Sequence, residues 1–107
     1  MTAEEWFSVF NEKYGDDFNW TIIPFTNHYF VEELKRELGD EAQNKSISPI
    51  AKCDSKDDVL FLFDGEYRIY HLTYSDKNLE GWPRYKGYSD LSSAMEFIEK
   101  EYVEEYK

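Results

Sequence analysis

Two apolar runs rich in β-branched and aromatic residues, VLFLF over residues 59–63 and EYRIYHLT over 66–73, flank Asp64-Gly65. An Asp-Gly pair between two such runs predicts a β-hairpin closed by a two-residue turn, because Gly65 accepts the positive φ of a type I′ turn and Asp64 tolerates it. Counting outward from that turn sets Leu62 opposite Tyr67, Leu60 opposite Ile69 and Asp58 opposite His71 on one face. On the other face, Phe63 opposes Glu66, Phe61 opposes Arg68 and Val59 opposes Tyr70. Ala51 and Cys53, in a short strand over residues 50–53, join the Leu60 face. That face is the purer in aliphatics and is expected to meet the helices.

The pattern changes to helical spacing elsewhere. Thr2 and Glu5 form a capping box, Trp6, Phe7, Val9, Phe10 and Tyr14 follow at helical intervals, and Gly15 marks the stop. A second helix is expected over residues 27–38, capped by Thr26 or Asn27, with Phe30, Val31, Leu34 and Leu38 as its buried stripe and Gly39 beyond its end. A last helix follows Ser89, from Asp90 to about Tyr102, with Leu91, Ala94, Met95, Ile98 and Tyr102 inward, and the charged tail after it is expected to fray. Between the first two helices, Trp20, Ile22 and Ile23 read as a short strand or an extended loop ended by Pro24. Residues 40–49 read as a polar loop, 74–83 as a loop rich in turn residues, and 84–88 as a short strand. The fold class is therefore α+β in a single domain over residues 1–107. It comprises two N-terminal helices, an antiparallel meander of three to four strands and a C-terminal helix packed on one sheet face.

Charge narrows the partners. The chain has 23 acidic and 12 basic side chains in 107 residues, a net charge of −11. The surplus sits in the helical segments: residues 1–47 carry ten acids against four bases and residues 90–107 six against two, whereas residues 48–89 carry seven against six. Such a surface repels nucleic acid and anionic membrane and speeds encounter with a basic protein. Arg68, Arg84 and Lys86 among Tyr70, Tyr85 and Tyr88 have the composition of a stacking platform for nucleic acid, but the acidic flanks oppose that use. No run of apolar residues is long enough to span a membrane, and the opening MTAEEWF has no signal-peptide pattern, so a cytoplasmic protein is expected. The single cysteine, Cys53, excludes an internal disulfide and suits a reducing compartment.

Catalytic and metal motifs are missing from the sequence. His28 and His71 are not at metal-ligand spacing with Cys53, and the five glycines form no phosphate loop. The run DSKDD at residues 54–58 lacks the glycine and closing glutamate of a calcium loop. No cofactor is expected. His71, paired across the strands with Asp58, is the one plausible base for a small hydrolase or transferase, without a nucleophile motif to serve it. The remaining candidate is an interaction surface of Phe61, Phe63, Tyr70 and Tyr74 with Trp82, near Arg68 and His71, unless a segment such as residues 20–25 covers that sheet face and makes it core. A homodimer through that face or through an edge strand is a further possibility.

The second half of the chain resembles a group of small bacterial α+β proteins that share an apolar strand, an acidic-Gly turn, a strand ending in His-Leu-Thr-aromatic-Ser, a loop with aromatic-Pro, and a helix. The matching positions here are Asp64, Gly65, His71 to Ser75, Trp82, Pro83 and Leu91 to Ile98. Proteins of this style are similar to the immunity proteins that neutralise bacterial toxins, often basic nucleases. The resemblance implies a non-enzymatic, acidic binding protein as the leading function.

Overall fold

A computed structural model describes residues 1–75 and 80–106 of the chain. The elements run α1 (Ala3–Tyr14), β1 (Trp20–Ile22), α2 (Tyr29–Leu38), β2 (Ile47–Cys53), β3 (Asp58–Phe63), β4 (Glu66–His71), β5 (Arg84–Tyr88) and α3 (Leu91–Tyr106), with short 3₁₀ turns at Gly15–Asp17 and Gly39–Ala42. The five strands form one antiparallel sheet in the order β1-β2-β3-β4-β5, each strand beside its neighbour in sequence. The α+β class is as expected, but the sheet has five strands rather than three or four, and one of them lies between the first two helices.

The β3–β4 hairpin has the register counted from its turn, from Asp58 opposite His71 to Phe63 opposite Glu66. Asp64 and Gly65 take φ of 50° and 91°, the paired positive values a type I′ turn requires. β2 begins three residues earlier than its apolar pattern suggests. Pro49 lies inside it, and the pairing with β3 slips between Pro49 and Ala51, because a proline cannot donate to the ladder and is accommodated at a bulge.

Both faces of the sheet are covered. Leu60, Ile69, Ala51 and Cys53 pack against Phe7 and Phe10 of α1 and Ala94, Met95, Ile98 and Tyr102 of α3. Val59, Phe61, Phe63, Tyr70 and Leu72 pack beneath α2, against Val31 and Leu34. Helices mainly on one face was the expectation. The face with charged residues interspersed is instead closed by α2, whose own stripe of Val31 and Leu34 needs an apolar partner. Ile23 joins this second layer, but the connector before it does not form the cover.

Local capping follows the sequence closely. Thr2 and Glu5 exchange both hydrogen bonds of the capping box, at 2.9 and 3.2 Å. The Asn27 side chain accepts the Tyr29 N–H at 3.0 Å at the start of α2. Asp90, rather than Ser89, caps α3, accepting the Ser93 N–H at 2.8 Å. The tail expected to fray continues α3 to Tyr106, where Lys56 reaches Glu105 at 3.3 Å.

Two parts of the fold place the loop after β4. The Glu37 carboxylate of α2 is buried and accepts the Thr73 N–H at 2.8 Å, the Thr73 hydroxyl at 2.8 Å and the Tyr74 N–H at 3.0 Å. Tyr74 is held there at a φ of 55°. The centre of the loop expected over residues 74–83 lies outside the described residues. No helix among those described is long and apolar enough to cross a membrane.

Candidate functional site

Antiparallel pairing with a period of two brings four polar side chains to one place. Asp58 on β3 faces His71 on β4, His71 faces Arg84 on β5, and Ile69 faces Lys86. Phe97 and Glu101 of α3 complete a groove of about 270 Å³ lined by these side chains. The His71 Nδ1–H donates to Asp58 Oδ1 at 2.8 Å, since a carboxylate oxygen only accepts. The second ring nitrogen, Nε2, has no hydrogen-bond partner among the described residues.

Aromatic rings fix the cations. The Arg84 guanidinium lies 4.6 Å from the centre of the Trp82 ring, and Trp82 in turn lies 6.0 Å from the His71 ring. The Lys86 ammonium sits 4.3 Å from the centre of Phe97. Burial raises the Glu101 carboxyl above the usual carboxylate range, although Lys56 at 3.9 Å pulls the other way. Chemically the groove offers two cations, an imidazole oriented by a carboxylate, and an apolar floor.

A second polar cluster lies on the opposite face, at the rim of the α2 layer. Arg68 stacks between Phe63 and Tyr85, 4.3 and 4.2 Å from their ring centres. Its Nε–H donates to Glu66 at 2.6 Å and its Nη1–H to the Tyr70 hydroxyl at 2.8 Å. Gly87, opposite Arg68, leaves the space that the Glu66 carboxyl occupies: a Cβ there would come within 2.7 Å of it. Burial pushes the Tyr70 hydroxyl up from its ordinary range, with Arg68 opposing the shift. This cluster bolts β4 to β5.

The expected interaction surface is thus divided. Phe61, Phe63 and Tyr70 are buried core beneath α2 and supply no surface contact in this fold, a correction to the exposed anchor cluster. Arg68 belongs to their rim. Tyr74 stands apart beside α2, its hydroxyl pushed up to about 12 chiefly by burial. His71, which lines the groove, and Trp82 come together, their ring centres 6.0 Å apart. Of the three bases with the composition of a stacking platform, Arg84 and Lys86 share the groove while Arg68 faces the other way.

The most exposed aromatics were not among the candidates. Phe25 is 82 % exposed and Tyr29 60 % exposed, at the turn between β1 and the start of α2. Phe25 borders an apolar groove with Ile22, Pro49, Ile50 and Leu91 that also holds Glu4 at its edge. Pro24 and Phe30 line an adjoining hollow with Asp54. Their signal in the sequence is negative: Phe25 lies in PFTN, outside any apolar period.

Among the described residues no group of three His, Cys, Asp or Glu side chains is placed to hold a metal ion. No protein-family model, curated protein or solved structure matches the chain.

Proposed function

We propose that this chain is a non-enzymatic, acidic protein-binding domain of the immunity type, acting in the cytoplasm on a basic protein such as a toxin. The observation that carries this reading is the exposure of Phe25 and Tyr29, four residues apart in sequence, in a chain of net charge −11. Large aromatic side chains left in water are the residue type that anchors protein interfaces. Glu4 borders the Phe25 groove and Asp54 the adjoining hollow, and such charges steer a cationic partner and raise the association rate more than the final affinity. In this reading the apolar contact moves from the sheet face to the β1–α2 turn.

The test is capture at low salt from a lysate of the source cell, eluted by a salt ramp and repeated with Phe25→Ala/Tyr29→Ala. A basic protein that is released as salt rises, and that the variant fails to hold, supports the reading. Self-association alone would replace it with a homo-oligomer.

A second reading has its own observation. The 2.8 Å Asp58–His71 pair in an open groove suits a small hydrolase or transferase centred on His71. His71→Gln separates the two: loss of an activity with partner capture intact favours the enzyme.

A further inference from the structure

Among the described residues, five of the ten lysines and arginines pair with a carboxylate, and Arg84 and Lys86 are among the five that do not. Lys13 pairs with Glu99, Arg36 with Glu33, Lys45 with Asp64, Lys56 with Glu105 and Arg68 with Glu66. Arg84 and Lys86 are different. They lie two residues apart on β5, line one groove, and have no carboxylate at ion-pair distance among the described residues. Each is held instead against an aromatic ring, Trp82 or Phe97, which positions the charge while leaving its N–H donors available. An acidic protein that gathers two such cations beside an imidazole presents a local site for a negative charge opposite to its overall field.

The lining narrows the ligand. Asp58 is engaged by His71, and Glu101, which has Lys56 at 3.9 Å, also feels the positive charge of Lys86. The two cations together match a dianionic group better than a singly charged carboxylate. Ile69 and Phe97 give an apolar floor for a carbon skeleton, and a volume of about 270 Å³ restricts the ligand to a small molecule. We propose that the groove between the β4–β5 pair and α3 binds a small phosphate monoester, its phosphate held by Arg84 and Lys86 and its body resting on Ile69 and Phe97. This site lies apart from Phe25 and Tyr29 and does not depend on the protein-binding reading.

The experiment is a titration of the isotope-labelled protein, followed by amide and side-chain NMR shifts, with phenyl phosphate, inorganic phosphate and acetate at constant ionic strength. Phenyl phosphate is expected to shift His71, Trp82, Arg84 and Lys86 saturably and to bind more tightly than the other two probes. Arg84→Gln/Lys86→Gln is expected to weaken it about tenfold or more, the scale of one lost charge-assisted contact. Lys35→Gln/Lys100→Gln removes the same net charge from exposed positions outside the groove and is expected to leave the affinity unchanged. Shifts that fail to saturate, that map elsewhere, or that weaken equally in both double variants would overturn the proposal. Inorganic phosphate binding as tightly as phenyl phosphate would overturn the monoester body. The wild-type shift map stands as a test by itself if the Arg84/Lys86 variant is unstable.

Discussion

Glu37 and Thr73, thirty-six residues apart in sequence, are joined by two hydrogen bonds of 2.8 Å through one buried carboxylate oxygen. The second oxygen takes the Tyr74 N–H, so a single side chain of α2 terminates β4 and sets the course of the loop beyond it. The carboxylate does for this strand end what a cap does for a helix.

Removing it is expected to be costly. Glu37→Ala leaves two backbone N–H groups without their acceptor in a part-buried setting, and about 2–4 kcal/mol of unfolding free energy should be lost. Glu37→Gln retains one acceptor oxygen and should lose roughly half as much, about 1–2 kcal/mol. Urea denaturation of both variants measures the difference. Equal losses would mean that the charge, not the acceptor count, is what matters.

Acid is expected to act through the same residue. Burial pushes the Glu37 carboxyl up, but hydrogen bonds from the neighbouring Glu33 carboxyl, the Thr73 and Tyr74 amides and the Thr73 hydroxyl outweigh it and hold its pKa below the ordinary 4.5. Against the pull of Arg36, burial and the Glu37 carboxyl hold the neighbouring Glu33 carboxyl up. The folded state therefore binds the Glu37 proton less readily than the unfolded chain. The stability this confers is complete above pH 4.5 and is lost as pH falls through the depressed value. Glu99, lowered by the Tyr14 hydroxyl and Lys13, adds to the same trend. Stability measured from pH 6 down to pH 3 should fall less steeply in Glu37→Gln than in the wild type.

Two phenylalanines should behave oppositely. Phe61→Ala empties a fully buried site beneath α2 and should cost about 3–5 kcal/mol. Phe25→Ala, at a side chain mostly in water, should change stability by no more than about 0.5 kcal/mol. Thermal or urea unfolding of the pair tests the assignment of Phe61 to the core and of Phe25 to the surface. A large loss at Phe25 would show that its ring is packed.

Gly87 offers a double-mutant cycle. Gly87→Ala should displace the Glu66 carboxyl from Arg68 and cost about 0.5–1 kcal/mol, since the displaced group is the end of a flexible side chain. In a Glu66→Ala background that cost should vanish, giving a coupling energy of similar size. Additive effects would mean that the strain lies in the backbone of β5.

Much of this fold is legible in the sequence where interactions are local. Asp64-Gly65 sets the β3–β4 register, and with it the Asp58–His71 pair, because a two-residue turn leaves no freedom in the count. The capping box at Thr2 and the glycine stops after α1 and α2 are equally local. What covers a sheet face is a different matter: Phe61 and Tyr70 read as wet because Arg68 and Glu66 share their face, yet Val31 and Leu34 of α2 close over them while Arg68 stacks at the rim on Phe63 and Tyr85. The start of β2 is hidden by Ser48 and Pro49, which break the apolar run. The meeting of Arg84 and Lys86 with His71 depends on the β4–β5 register, and a long loop fixes no register by its length.

The meander also has a consequence for the order in which the chain becomes protected during synthesis. The α2 layer has its partners, from Ile23 to Leu72, as soon as β4 has emerged, and Glu37 can lock it at Thr73. The opposite face must wait for Ala94, Met95, Ile98 and Tyr102. For the interval needed to translate β5 and α3, a few seconds at typical rates of about 5–20 residues per second, the nascent protein carries one finished face and one covered only by α1. The part of that face left open beside Leu60, Ile69 and Ala51 is the surface a nascent-chain chaperone would meet.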